Sequence, residues 1–150
     1  MKKSAGILLY KKVDGQLMFF LAHPGGPFWK NKDAGSWSIP KGEFTDELPL
    51  DAALREFEEE TGTRLKGEFI ELEPVKMKSG KMIYAFAFEG DIDPDTITSN
   101  TFDLEWPPKS GKIVQFPEVD RAVWFRVDEA LVKVVEVQGS FVREILEVVG

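Results

Sequence analysis

The sequence predicts an α/β fold, a mixed β-sheet with helices packed on its faces. Three observations predict it: short apolar runs bounded by turn residues, one strongly amphipathic helical stretch between them, and the element order β, β, α, β, β, β, α. With 150 residues and 43% hydrophobic content, the chain can bury one good core but hardly two, so one domain spanning residues 1–150 is expected.

The first element is a hairpin. Ala5-Gly6-Ile7-Leu8-Leu9-Tyr10 and Leu17-Met18-Phe19-Phe20-Leu21 read as two largely buried strands, joined through Asp14-Gly15 as the turn. Met1-Lys2-Lys3 ahead of an apolar run superficially resembles a secretory signal, but Lys11 and Lys12 stop the run too early. Residues 24–37, rich in Gly, Pro and aromatics, read as an ordered loop, with short extended pieces near Ser38-Ile39 and Glu43-Phe44. A helix is predicted over 49–61, because Pro49 suits a first turn, Gly62 suits the position past the end, and Leu50, Ala53, Leu54 and Phe57 form an apolar stripe. Strands are expected at about 68–77 and 82–89 around a turn at Lys78-Ser79-Gly80-Lys81. The stretch 90–121 shows little regular pattern beyond Ile113-Val114-Gln115-Phe116, and unpatterned segments of that length are often functional. Ala122-Val123-Trp124-Phe125 reads as the last strand, and residues 127–149 as one or two helices broken near Gly139.

Composition narrows the function. A formal net charge of -7 argues against a surface that coats nucleic-acid phosphates, so a phosphate-bearing partner should be small or bring its own cation. With no cysteine, disulfides, thiolate zinc sites and thiol nucleophiles are excluded, and a cytoplasmic location is expected. No segment has the apolar length of a membrane span. Asp91-Ile92-Asp93-Pro94-Asp95 mimics a calcium loop but has Thr96 and Phe102 where glycine and glutamate are needed. Ser79-Gly80-Lys81 and Ser110-Gly111-Lys112 lack the first glycine of a P-loop and read as turns.

The informative stretch is Arg55-Glu56-Phe57-Glu58-Glu59-Glu60-Thr61-Gly62. On a helix, Glu56, Glu59 and Glu60 stand at i, i+3 and i+4, crowding three carboxylates onto one face beside the core stripe. Like charges at this spacing repel by roughly 0.2–0.5 kcal/mol per pair, and a divalent cation reverses the sign. Oxygen-only ligands select a hard ion, magnesium or manganese, over zinc.

Gly42, Glu47, Arg55-Glu56-Phe57, Glu59-Glu60 and Gly62 together resemble the Nudix box, whose pattern is Gly, five residues, Glu, seven residues, Arg-Glu-apolar, one residue, Glu-Glu, one residue, Gly, apolar. Here only four residues separate Gly42 from Glu47, and Thr63 takes the last apolar place. The resemblance implies a Nudix-type α/β/α sandwich that hydrolyses a pyrophosphate bond with Mg2+, or Mn2+. It implies Glu56, Glu59 and Glu60 as metal ligands with the Gly42 carbonyl as a further one, Arg55 holding a glutamate in position, and Glu47 supporting the loop or reaching metal through water. The general base is left open among Glu56, Glu59 and a loop residue such as Glu105 or Glu118.

Trp37-Ser38-Ile39-Pro40-Lys41-Gly42 is similar to the approach to the box in diadenosine tetraphosphate hydrolases of this family, which implies Lys41 as a phosphate contact. Residues 99–108 and 116–121 resemble a bacterial Nudix subgroup of predicted pyrophosphohydrolases. A flat base needs an aromatic surface, for which Trp106, Tyr84 and Trp29 are the candidates. His23 is expected to be structural. The expected activity is cleavage of a dinucleoside polyphosphate such as diadenosine tetraphosphate, with an NTP pyrophosphohydrolase or a non-catalytic nucleotide-binding module as alternatives. The expected partner is a small nucleotide, with neither nucleic acid nor membrane, and a monomer or dimer is expected.

Overall fold

In the computed structural model, which describes residues 1–150, β1 (Lys3–Val13) and β2 (Gln16–Pro24) form the expected hairpin. Asp14 and Gly15 both have positive φ, 52° and 80°, as a two-residue turn matched to strand twist requires. β1 is the hub of the sheet. It pairs antiparallel with β2 through residues 10–13 and with β3 (Lys41–Phe44) through residues 3–6. Along its other edge runs β6 (Met82–Glu89), in parallel. β9 (Val119–Arg126) pairs with β2 at one end, and the short strands β4 (Ile70–Glu71) and β5 (Val75–Lys76) pair with β6 at the other, making a mixed sheet of seven strands.

Alternation along the central strands builds two cores. Leu8, Phe19, Ile83 and Phe125 pack beneath α2 (Val127–Lys133) and α3 (Gly139–Val148), which contribute Ala130, Phe141 and Ile145. Ile7, Leu9, Phe20 and Phe86 face the opposite way and pack beneath α1 (Pro49–Thr61), which contributes Ala52, Ala53 and Phe57. Burying a side chain such as Phe57 stabilises by roughly 1.5–3 kcal/mol, enough to hold an acidic helix against the sheet. The result is the expected α/β/α sandwich. No helix is long and apolar enough to cross a membrane.

α1 occupies the predicted range, with Pro49 in its first turn and Gly62 at φ 82° ending it, the Gly62 N–H donating to the Glu58 carbonyl at 2.7 Å. Its buried face differs from the predicted stripe. Ala52, Ala53, Glu56, Phe57 and Glu60 are buried, whereas Leu50 and Leu54 are only half-buried. The helix is rolled so that two glutamates point into the protein, an outcome that hydropathy cannot anticipate.

Two further differences have physical reasons. The strand expected at 68–77 is split into β4 and β5, because Pro74 lacks an N–H for the ladder while Leu72 turns its side chain into the core. The stretch 90–121 contains a strand that was not expected, β7 (Thr101–Glu105), paired with β8 (Ile113–Pro117) as a separate two-stranded sheet. Only Phe102 and Leu104 of β7 are apolar, and both are merely half-buried, so its alternation is faint. The mimic of a calcium loop is a single 3-10 turn at Pro94–Thr96 in which the Asp93 side chain accepts the Asp95 N–H at 2.9 Å.

Candidate active site

Arg55 organises the carboxylates. Its Nε and Nη2 donate to Glu47 at 2.7–3.1 Å, while Nη1 donates to Glu56 at 2.9 Å and to Glu59 at 3.2 Å. One guanidinium therefore ties the loop before α1 to two successive turns of the helix. The fork geometry makes this possible, since a planar group with five N–H donors can serve three carboxylates at once. Glu47 holds Arg55 firmly protonated, and the same bond keeps the Glu47 carboxyl below its ordinary range.

Gly42 explains how Glu56 fits. A Cβ at this position would overlap the Glu56 carboxylate, so only glycine leaves room for it against β3. The register Ala5↔Gly42 fixes that place in the sheet. Glu56 is 7% exposed and Glu60 is 6% exposed. Burial pushes both carboxyls up; Arg55 opposes the shift at Glu56, whereas Glu60, flanked by Glu56 and Glu118, is pushed up to about 9. Its Oε2 is buried without any hydrogen-bond partner. Lys41 is the nearby cation, and burial together with Lys81 pulls its ammonium below the usual range.

Trp29, Lys41, Glu60, Phe102 and Glu118 line one cleft of about 310 Å3. Glu118 reaches it because the chain returns over the end of α1. The Thr98 and Asn100 N–H groups cap the Thr61 and Glu59 carbonyls at 3.0 and 2.8 Å, and the Asn100 carbonyl accepts the Glu118 N–H at 2.9 Å. Burial, then Glu59, raises the Glu118 carboxyl.

These residues fit a hard divalent cation. The donors are all oxygen, and an unpartnered buried carboxylate oxygen is what such an ion satisfies. The cage is not pre-assembled: no three His, Asp or Glu groups converge tightly enough to complete one, and Arg55 engages Glu56 and Glu59 instead.

A family model for the NUDIX domain matches residues 2–145. The chain belongs to the Nudix family. As a Nudix protein with its glutamate-bearing helix, it is a pyrophosphohydrolase, a class that works with divalent cations. No curated protein matches the chain by sequence. Among solved structures, a Caenorhabditis elegans Ap4A hydrolase in a binary complex is similar at TM-score 0.64 and 19% identity, covering 97% of this chain and 96% of that one. The NUDIX domain of Shewanella oneidensis NrtR, complexed with ADP ribose, is similar at TM-score 0.65 and 16% identity, covering 99% and 88%. MutT, studied from Aliivibrio salmonicida and Vibrio cholerae, is similar at TM-score 0.59 and 14% identity, covering 97% and 96%.

The shortened spacing in the Nudix box is absorbed by the loop between β3 and α1, since Gly42 still cradles Glu56 and Glu47 still reaches Arg55. Three candidates lie elsewhere than expected. Tyr84 packs edge-on against Phe44 at 6.0 Å, at the margin of the α1 core, and does not line the cleft. Trp106 meets Phe28 edge-on at 5.4 Å beyond the cleft lining. Glu105 is exposed on the β7–β8 hairpin, where its carboxylate accepts the Lys109 N–H at 2.9 Å. Trp29 does line the cleft. His23 is fully buried, with Nδ1 2.9 Å from Asp120 and Nε2 2.7 Å from the Lys32 carbonyl, as a structural histidine would be. Phe102 was missed; the alternation Phe102, Leu104 ahead of the Trp106-Pro107-Pro108 turn was its one signal.

Proposed function

We propose that this Nudix enzyme hydrolyses a dinucleoside polyphosphate such as diadenosine tetraphosphate, using Mg2+, with Mn2+ as a substitute, on a cytoplasmic nucleotide pool. A single domain over residues 1–150 does this. The observation that carries the reading is that Glu60, with its Oε2 buried and unpartnered, lines a cleft together with the half-buried Lys41, on the same helix whose Glu56 and Glu59 are held by Arg55.

Glu56, Glu59 and Glu60 would hold the cation, with the Gly42 carbonyl beside Glu56 as a further oxygen. When bound, a divalent cation lowers the pKa of water and offsets phosphate charge. The protein's own groups do the rest. Arg55 ties Glu56 and Glu59 together along one face of α1, and Glu47 anchors Arg55 from the loop. Lys41 binds the phosphate chain as a point charge. A glutamate takes the proton as water oxygen bonds to phosphorus and the bridging P–O bond breaks. Glu56, Glu59 and Glu118 are the bases that this placement supports, because Glu105 is occupied elsewhere.

Similarity to the Caenorhabditis elegans Ap4A hydrolase supports the choice of a dinucleoside polyphosphate. A second reading, an NTP pyrophosphohydrolase, is favoured by the cleft volume of about 310 Å3, which suits one nucleotide. Turnover of diadenosine tetraphosphate against a panel of NTPs, with magnesium, separates them. A mononucleotide and ATP should be the products from the dinucleotide, and a clear preference for single NTPs overturns the first reading. Glu59→Gln should lower kcat by at least about a hundredfold with the fold intact by circular dichroism.

A further inference from the structure

We infer that Trp29 and Phe102 form a nucleobase seat along the apolar wall of the cleft, and that it accepts purines and pyrimidines with little discrimination. The inference rests on the nucleotide substrate proposed above and names what its non-phosphate part meets.

The two rings come from separate elements that are locked together. Trp29 is 40% exposed and carries Lys32 Nζ 5.0 Å from its ring centroid, so one face is taken and the other is left for a planar partner. Phe102 lies against Phe116, with centroids 6.2 Å apart, and against Gly26, where a Cβ would come within 3.0 Å of the ring. Phe28, 60% exposed, leans on Trp106 and joins the loop bearing Trp29 to the β7–β8 hairpin bearing Phe102. The exposed Trp29 ring and the half-buried Phe102 ring in the lining of one cleft are the kind of aromatic surface that ligand pockets present.

Base tolerance follows from what the lining lacks. Apart from the single indole N–H of Trp29, its polar side chains are Ser38, Lys41, Glu60 and Glu118. The Ser38 hydroxyl is already engaged, donating to the Ile39 carbonyl at 2.7 Å and accepting from Gln138 Nε2 at 3.0 Å. The other three are assigned above to the phosphate chain, the cation and the proton transfer. No Asn, Gln, Asp or Arg side chain lines the cleft. Reading a base needs such paired donors and acceptors at its edge, whereas stacking accepts every base because each has a π face.

The test is calorimetric binding of ADP, GDP, CDP, UDP and the base-free ribose 5-diphosphate to Glu59→Gln protein, in which turnover is suppressed. The four nucleotides should bind within about fivefold of one another and at least about tenfold tighter than ribose 5-diphosphate. Trp29→Ala and Phe102→Ala, each added to that background, should weaken nucleotide binding about ten- to a hundredfold and leave ribose 5-diphosphate unchanged, with Trp29→Phe restoring most of the loss. Trp29, on an exposed loop, carries the test alone should Phe102→Ala fail to fold. Preference for one base by more than about thirtyfold, or equal binding of the base-free ligand, overturns the seat. Binding as expected in a protein that cleaves no nucleotide polyphosphate would sink the proposed activity alone; turnover of such substrates with nucleotide affinity unmoved by Trp29→Ala would sink the seat alone.

Discussion

Replacing Glu60 with glutamine should make the metal-free protein more stable, and by an amount that depends on pH. The Glu60 carboxyl is pushed from an ordinary 4.5 up to about 9 by burial and by its glutamate neighbours. Between those values the folded state holds a proton that the unfolded state releases, so stability falls as pH rises from about 5 to about 9, by about 1.4 kcal/mol per pH unit. At about pH 7.5 this amounts to roughly 4 kcal/mol, and relaxation around the buried charge brings the expected figure to about 2–4 kcal/mol. Glutamine has the same shape without the ionisation. Urea unfolding in EDTA at a series of pH values should show the Glu60→Gln protein gaining on wild type from about pH 5 upward, with no gain near pH 4.5. Magnesium should reverse the order by stabilising wild type more than the variant. A glutamine variant less stable than wild type at about pH 8 in EDTA would refute the reasoning, because Glu60 would then be ionised and partnered in the folded protein.

Arg55→Lys keeps the charge but loses the fork that joins Glu47, Glu56 and Glu59, so kcat/KM should fall about a hundredfold or more in a steady-state assay, with circular dichroism unchanged. Gly42→Ala places a Cβ where the Glu56 carboxylate sits, and titration should show divalent-ion affinity reduced at least about tenfold. Glu118→Gln should lower kcat while Glu105→Gln leaves it within about twofold, since only Glu118 lines the cleft; equal effects from the two would remove Glu118 from the candidate bases.

The parts of this molecule that announce themselves in sequence are those governed by local rules. The α1 limits follow from Pro49 and Gly62, and the first hairpin from Asp14-Gly15, because capping and turn chemistry act within a few residues. The roll of α1 was not legible, since a scale that rewards Leu50 and Leu54 cannot foresee Glu56 and Glu60 being buried. Only the cost of crowding carboxylates, and the ion that would relieve it, hinted at their direction. Tyr84 and Trp106 lie outside the cleft lining for a different reason: an aromatic residue is as good a core filler as a stacking surface, and only the register decides which. The joining of Glu118 to the cleft depends on hydrogen bonds from Thr98 and Asn100 to the end of α1, contacts between segments about 40 residues apart that no periodicity encodes.

That return path closes on itself. Asn100 and Glu118 are bonded to each other through the main chain, so the whole β7–β8 ribbon is spliced in as a cassette between two neighbouring anchor points. Lengthening, trimming or grafting the ribbon would reshape the pocket wall that carries Phe102 without disturbing the helix that carries the glutamates. The pocket wall and the glutamate-bearing helix are thereby separately replaceable parts of one chain.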